Sequence, residues 1–288
     1  DSRDNRTNSS RRFAAIYSRI RNACLTIDDS LLCSNFLNLK SLNSILNEMD
    51  GELKIKHLNI IPDDPMIFNG DLKINAIGFK FDSLILKEFA GIDLLNNSFE
   101  ALEKTFYLIY ISEMQLHFFI NGSLLNESDC IIENFNKPNF TSPFVYFKSV
   151  LLESIHQSNK ICPFAFYNAT QSTSFMIQKQ NDTKSRLMFI DVDGEKHRPS
   201  FTELYMIDSE LVLDSMLINR YMFSNLKSIQ YESIKFINID TETFLNFNQL
   251  KMFRFNRIDF TELMLNSQLL ELLSSINRNV ANLSTLSD

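Results

Sequence analysis

Tryptophan is absent from this chain of 288 residues, and glycine and proline number only six each. So little glycine leaves few tight hairpins and no loop able to cradle a phosphate, which excludes Rossmann and P-loop readings. Basic residues are outnumbered, 28 Lys and Arg against 35 Asp and Glu, for a net charge of −7. The cationic footprint that a nucleic-acid binder needs for its phosphate contacts is therefore missing. No apolar run approaches the roughly 18 residues of a spanning helix. The longest are stretches such as Phe106 to Ile111, so no membrane segment is expected within the chain. Histidine occurs only as His57, His117, His156 and His197, in separate segments. With no C-x-x-C pair, no H-E-x-x-H helix, no G-x-S-x-G elbow and no Gly-rich loop, nothing points to a zinc site or a catalytic triad. The expectation is a protein that is not an enzyme and takes no metal or cofactor.

What is present is a 44% apolar fraction with 26 phenylalanines, enough for a real core in one elongated domain or two compact ones. Nine N-x-S/T sequons occur, at Asn5, Asn8, Asn96, Asn121, Asn126, Asn139, Asn168, Asn181 and Asn282. Chance at this composition would give roughly 4 to 5. Cys24, Cys33, Cys130 and Cys162 make an even count. Sequence order suggests Cys24 with Cys33 and Cys130 with Cys162, one of three connectivities. In the chain-entropy picture these loops would contribute about 2.7 and 3.7 kcal/mol. Sequons and cysteines together point to an extracellular protein, secreted or at the cell surface. The start at Asp1, without Met or a hydrophobic leader, fits a signal peptide already removed or trimmed.

The strongest organisational signal is a repeat late in the chain. Apolar residues at template positions 1, 4, 6, 9 and 11 fall on Leu226, Ile229, Tyr231, Ile234 and Phe236. One repeat further on, the same five positions are Leu250, Phe253, Phe255, Ile258 and Phe260. One repeat earlier, Phe201, Leu204, Met206, Ser209 and Leu211 match at four of five. Nearer the start, Phe106, Ile109, Ile111, Met114 and Leu116 fit all five. Weaker strands are Ile55, Leu58 and Ile60, then Ile74, Ile77 and Phe79, with one more near Thr173 to Gln178. Positions 4 and 6 straddle an outward residue, as a short strand with one buried face requires. Ile239, Phe244 and Phe247 supply the apolar residues of a return segment. One such coil cannot bury its own apolar face, so coils must stack.

On these residues the chain resembles the leucine-rich-repeat family, in a degenerate, Phe- and Ile-rich extracellular form, and its period falls within that family's usual range. It departs at position 9, where that family places a laddering Asn and this chain has Ile234, Ile258 and Ser209. The resemblance implies an α/β fold: a curved leucine-rich-repeat solenoid with parallel strands on the concave face, irregular or short helical returns, and terminal caps. Residues 1–22, with six arginines from Arg3 to Arg21, read as a largely disordered lead-in. An N-terminal cap over 23–52 and N-terminal repeats over 53–120 follow. Residues 121–186 read as an irregular, glycosylated insertion, and 187–262 as the C-terminal repeats. Over 263–288 the spacing of Leu265, Leu269, Leu272, Leu273 and Ile276 predicts a capping helix and tail.

Asp191, Asp193 and Glu195 alternate as in a calcium loop, but the twelfth position is Thr202 rather than a bidentate Glu, so an acidic turn is expected. The functional surface follows from the strand geometry. Position 5 faces the concave side and is occupied by Tyr110, Tyr205, Gln230 and Arg254, flanked by Glu203, Glu232, Met252 and Asn256. Tyr and Arg are the types enriched at binding hot spots. No sequon lies between Asn181 and Asn282, where the best repeats are. The expected function is recognition of a protein ligand or co-receptor by a receptor or adhesion ectodomain. A structural protein that self-assembles and a secreted hydrolase on another fold are the alternatives.

Overall fold

The computed structural model describes residues 22–49, 55–73, 81–94, 106–114, 116–136, 140, 142–156, 159–192, 198–244, 247 and 249–258. The lead-in before residue 22, Ile74, Ile77, Phe79, Phe260 and the expected C-terminal helix lie outside them, as do Asp193, Glu195 and the sequons at Asn5, Asn8, Asn96, Asn139 and Asn282.

Among the described residues ten strands form the principal sheet: β1 (Cys24–Ile27), β2 (Ser30–Cys33), β3 (His57–Ile60), β5 (Ser83–Lys87), β7 (Phe106–Ser112), β10 (Phe147–Glu153), β11 (Ser174–Gln178), β12 (Glu203–Ile207), β14 (Ser228–Glu232) and β16 (Met252–Asn256). They lie side by side in that order, β1 antiparallel to β2 and every later pair parallel. The connections between them form two smaller sheets. One joins β4 (Ile67–Phe68), β6 (Gly91–Asp93), β8 (Phe118–Ile120) and β9 (Ser123–Leu124), and the other pairs β13 (Glu210–Leu213) with β15 (Lys235–Ile239).

The expected α/β leucine-rich-repeat solenoid is overturned by this architecture. The described chain is mostly sheet, mixed rather than wholly parallel, and helix is sparse in it, with α1 (Leu39–Glu48) and the single-turn α2 (Ile132–Phe135) beside the helical residues Asn22 and Ala23. Local chemistry accounts for the difference. The connections carry β-branched and aromatic residues, such as Phe236, Ile237 and Ile239 of β15, which favour strand over helix. Their corners are held by Asp and Asn side chains that compete with helical hydrogen bonding. The Asp182 carboxylate accepts from the amides of Val212 (2.9 Å) and Leu187 (3.3 Å), and the Asp214 carboxylate from Met216 (3.0 Å) and Leu217 (3.1 Å). Asn219 accepts from Tyr221 (3.0 Å) and Met222 (3.1 Å) and donates to the Ile190 carbonyl (3.0 Å). The longer helix has its own start signal. The Asn38 side chain caps α1 through the Ser41 amide at 2.8 Å, and Leu39, Leu42 and Leu46 form its buried stripe.

The strand alternation read from the sequence lies in the principal sheet. Leu58 and Ile60, Ile109 and Ile111, Leu204 and Met206, Ile229 and Tyr231, and Phe253 and Phe255 all point into the core. Residues 121–186, read as an irregular insertion, hold β10 and β11 as interior strands, so the sheet runs unbroken between β7 and β12. Phenylalanine fills the space that tryptophan would otherwise take. Phe166 is fully buried and meets the rings of Phe118, Phe144, Phe175, Phe189 and Phe201 at 4.3 to 6.5 Å. Phe236 of β15 meets Tyr231 of β14 at 5.3 Å, so the connections close the core opposite the principal sheet.

Seven of the sheet strands end in the same unusual corner. Glu88, Glu113, Ser154, Lys179, Asp208, Ser233 and Arg257, each the residue after its strand, have φ between 48° and 60°. This left-handed geometry costs a residue with a Cβ on the order of 1 kcal/mol or more. Hydrogen bonding offsets it. The amide of each of the first six donates to the carbonyl of the last residue of the next strand, from Glu88 to Ser112 (3.3 Å) through Ser233 to Asn256 (2.9 Å), so the ladder extends one residue past the strand.

Phe255 and Arg254 test the assignment of faces. Phe255→Ala, which removes a ring stacked on Tyr231 at 5.3 Å, should cost about 3 to 5 kcal/mol in denaturant unfolding. Arg254→Ala should change stability by less than about 0.5 kcal/mol. Equal losses would mean the two faces have been exchanged.

Candidate functional site

The parallel register aligns the outward side chains of successive strands into rows. Strand by strand from β2 to β16, the central row is Leu32, Asn59, Ile85, Tyr110, Leu151, Met176, Tyr205, Gln230 and Arg254. Arg254 is exposed and the others are half-buried. All four position-5 residues read from the sequence thus fall in one line. Glu203 and Met252 sit in the row two residues earlier, and Glu232 and Asn256 in the row two residues later.

The residues that join Tyr110 to Tyr205 were not read from the sequence. Leu151 and Met176 complete the line between them, and Ile85 extends it beyond Tyr110. The spacing hid the first of these, because the interval from Leu108 to its partner Ser149 is far longer than that from Glu203 to its partner Ser228. The alternation hid them too. Leu84, Ile85 and Leu86, like Val150, Leu151 and Leu152, are consecutive apolar residues, so the inward and outward positions look alike. That masking is the one available signal: an outward apolar residue in an otherwise alternating strand is not demanded by the core.

From β5 to β12 the central row is apolar or aromatic at five consecutive strands, a stripe about 19 Å long at the usual interstrand spacing. Its far end is polar and hydrogen-bonded. Glu203 Oε2 accepts from the Tyr205 hydroxyl (3.1 Å) and the Ser174 hydroxyl (2.9 Å). Glu232 Oε1 accepts from Asn256 Nδ2 (3.2 Å), and an Arg254 guanidinium nitrogen reaches Gln230 Oε1 at 3.5 Å. Among the described residues neither Glu203 nor Glu232 has a cationic partner. Burial, with the adjacent Glu203 carboxylate, pushes the Tyr205 phenol above its ordinary range, so it stays a neutral donor.

A second polar cluster lies at the other end of the face. His57 Nδ1 meets the Ser83 hydroxyl at 2.6 Å, and His57 Nε2 stands 3.9 Å from Asp29, which Lys56 holds at 3.0 Å. The hydroxyl–imidazole–carboxylate order resembles a nucleophilic relay, but Ser83 is only 4% exposed, and the His57–Asp29 gap is too long for an orienting hydrogen bond. These contacts tie the β1–β2 turn, β3 and β5 together. Among the described residues no group of His, Cys, Asp and Glu is placed to hold a metal ion.

Cys24 is bonded to Cys33, its directly opposite partner in the β1–β2 hairpin, and Cys130 to Cys162. No described helix is long and apolar enough to cross a membrane. Both facts are compatible with an extracellular setting. The described sequons, Asn121, Asn126 and Asn168, all exposed, and the half-buried Asn181, lie on connections and not in the outward rows. No protein-family model, no curated protein and no solved structure matches this chain.

Proposed function

We propose that this chain is an extracellular recognition domain, part of a receptor or adhesion ectodomain, that binds a protein through the outward face of its ten-stranded sheet. The observation that carries the reading is the apolar stripe Ile85, Tyr110, Leu151, Met176 and Tyr205, aligned by register across five strands. A sheet face open to water ordinarily alternates polar side chains there, and a contiguous apolar stripe with a polar rim is the composition of an interface core. Tyrosines at two of its positions and Arg254, two strands beyond it in the same row, are the residue types that dominate binding energy. Glycan placement agrees, since bulky sugars on the described sequons would leave this face clear. The disulfides and the excess of sequons support secretion or display at the cell surface.

The test is capture of cell-surface proteins by the folded chain, compared with a triple variant carrying Tyr110→Ala, Tyr205→Ala and Arg254→Ala. The triple variant should lose the captured partner while its melting temperature stays within a few degrees of the parent. Capture undiminished by the three substitutions would rule the face out.

A further inference from the structure

We infer that the partner presents a cationic segment, with lysine or arginine beside apolar side chains, which crosses the sheet over β11, β12 and β14. The inference rests on the outward face being the binding surface. Charge complementarity carries it. Glu203 and Glu232 stand on neighbouring strands, one row before and one row after the central line, and bracket Tyr205 and Gln230 between them. Both are half-buried, and among the described residues their hydrogen-bond donors are neutral, Ser174 and Tyr205 for the first and Asn256 for the second. Five carboxylates elsewhere are paired with cations. Asp29, Glu113, Glu153 and Glu210 each lie within 3.4 Å of a lysine, and Asp214 is paired with Arg186. Among the described residues the two acids beside the stripe are thus oriented and have no ion-pair partner, which preorganises them for a cation from outside.

The wider field has the same sign. Up to Arg21 the chain holds six arginines against Asp1 and Asp4, a surplus of four positive charges. The remainder, which includes the whole sheet, is therefore more acidic than the net −7 suggests, at −11. Net negative charge favours the approach of a basic segment. The occupant therefore combines aliphatic side chains, to cover Leu151, Met176 and Tyr205, with basic side chains that reach Glu203 and Glu232.

Calorimetric titration of the full chain with a synthetic peptide alternating leucine and arginine, and with a leucine–glutamate peptide of equal length, tests this. The expected result is binding of the first alone, weakened by added salt. Glu203→Gln with Glu232→Gln should reduce that affinity about tenfold or more, and so should Tyr205→Ala. If Tyr205→Ala weakens both peptides equally while the glutamine pair changes nothing, the cationic inference falls and the face remains the site. If neither variant alters binding of the leucine–arginine peptide, both readings fall. A free chain that dimerises in sedimentation, and that Tyr205→Ala returns to monomer, would make a second copy the occupant and overturn the inference.

Discussion

Phe166→Ala should cost about 3 to 5 kcal/mol, and on a domain of ordinary stability this takes roughly a fifth or more of what holds the chain folded. The ring is fully buried and is the common neighbour of five others, with Phe144 closest at 4.3 Å. Those five come from β8, from the turn before β10, from β11, and from the segment between β11 and β12, so the cavity would open where several elements meet. Collapse around it is restricted because neighbouring backbone is fixed by buried hydroxyls. Ser172 Oγ donates to the carbonyl of Phe147 (2.6 Å) and also approaches that of Phe144 (2.9 Å), and the Ser142 hydroxyl bonds the Ala165 carbonyl. Urea unfolding of the parent and the variant measures the loss. A drop below about 1 kcal/mol would mean the site repacks and the ring is not central. Phe166→Leu, which keeps most of the volume, should lose markedly less.

Replacing Cys130 and Cys162 together with serine should have the second-largest effect, a loss of about 3.7 kcal/mol from the entropy of the unfolded chain. The bond closes a loop with a sequence separation of 32, against 9 for Cys24–Cys33, whose removal should cost about 2.7 kcal/mol. Both sulfurs of the longer bridge are buried, and they adjoin the cluster in which Phe135 meets Phe140 at 5.1 Å and Phe164 at 5.6 Å. The bridge thus fastens the start of the α2 segment to the turn that carries Phe164 and Phe166. Two measurements check this: peptide mapping without reductant should recover the 130–162 pair, and the denaturation midpoint of the double variant should fall further than that of Cys24→Ser with Cys33→Ser. An unchanged midpoint would show that packing alone holds the segment.

The strands were legible where one face was apolar and the other was not. Leu204, Met206, Ile229, Tyr231, Phe253 and Phe255 announce their burial through Glu203, Tyr205, Gln230, Glu232 and Arg254 between them. The register then places Tyr110, Tyr205, Gln230 and Arg254 in one line, which periodicity could suggest but not join up. Two things were hidden. The connections look helical or irregular by spacing because β15 breaks the two-residue alternation and its pairing with β13 shifts register between Leu211 and Val212. The left-handed corners gave no sign either. Glycine or asparagine would have marked them, and of the seven residues there only Asp208 belongs to the types enriched in that conformation.

The order of the sheet has a kinetic side. Each strand from β2 onward pairs only with its predecessor and successor among the sheet strands, and even the widest of these pairings, Leu108 with Ser149, is bridged by a single connection. No strand has to wait for the two ends of the chain to meet. Loop-closure entropy grows only with the logarithm of separation, so every adjacent pair faces a similar search. Assembly can therefore begin at any neighbouring pair and spread both ways, and the hairpin closed by Cys24 and Cys33, at the shortest range of all, offers the quickest template on which β3 can settle.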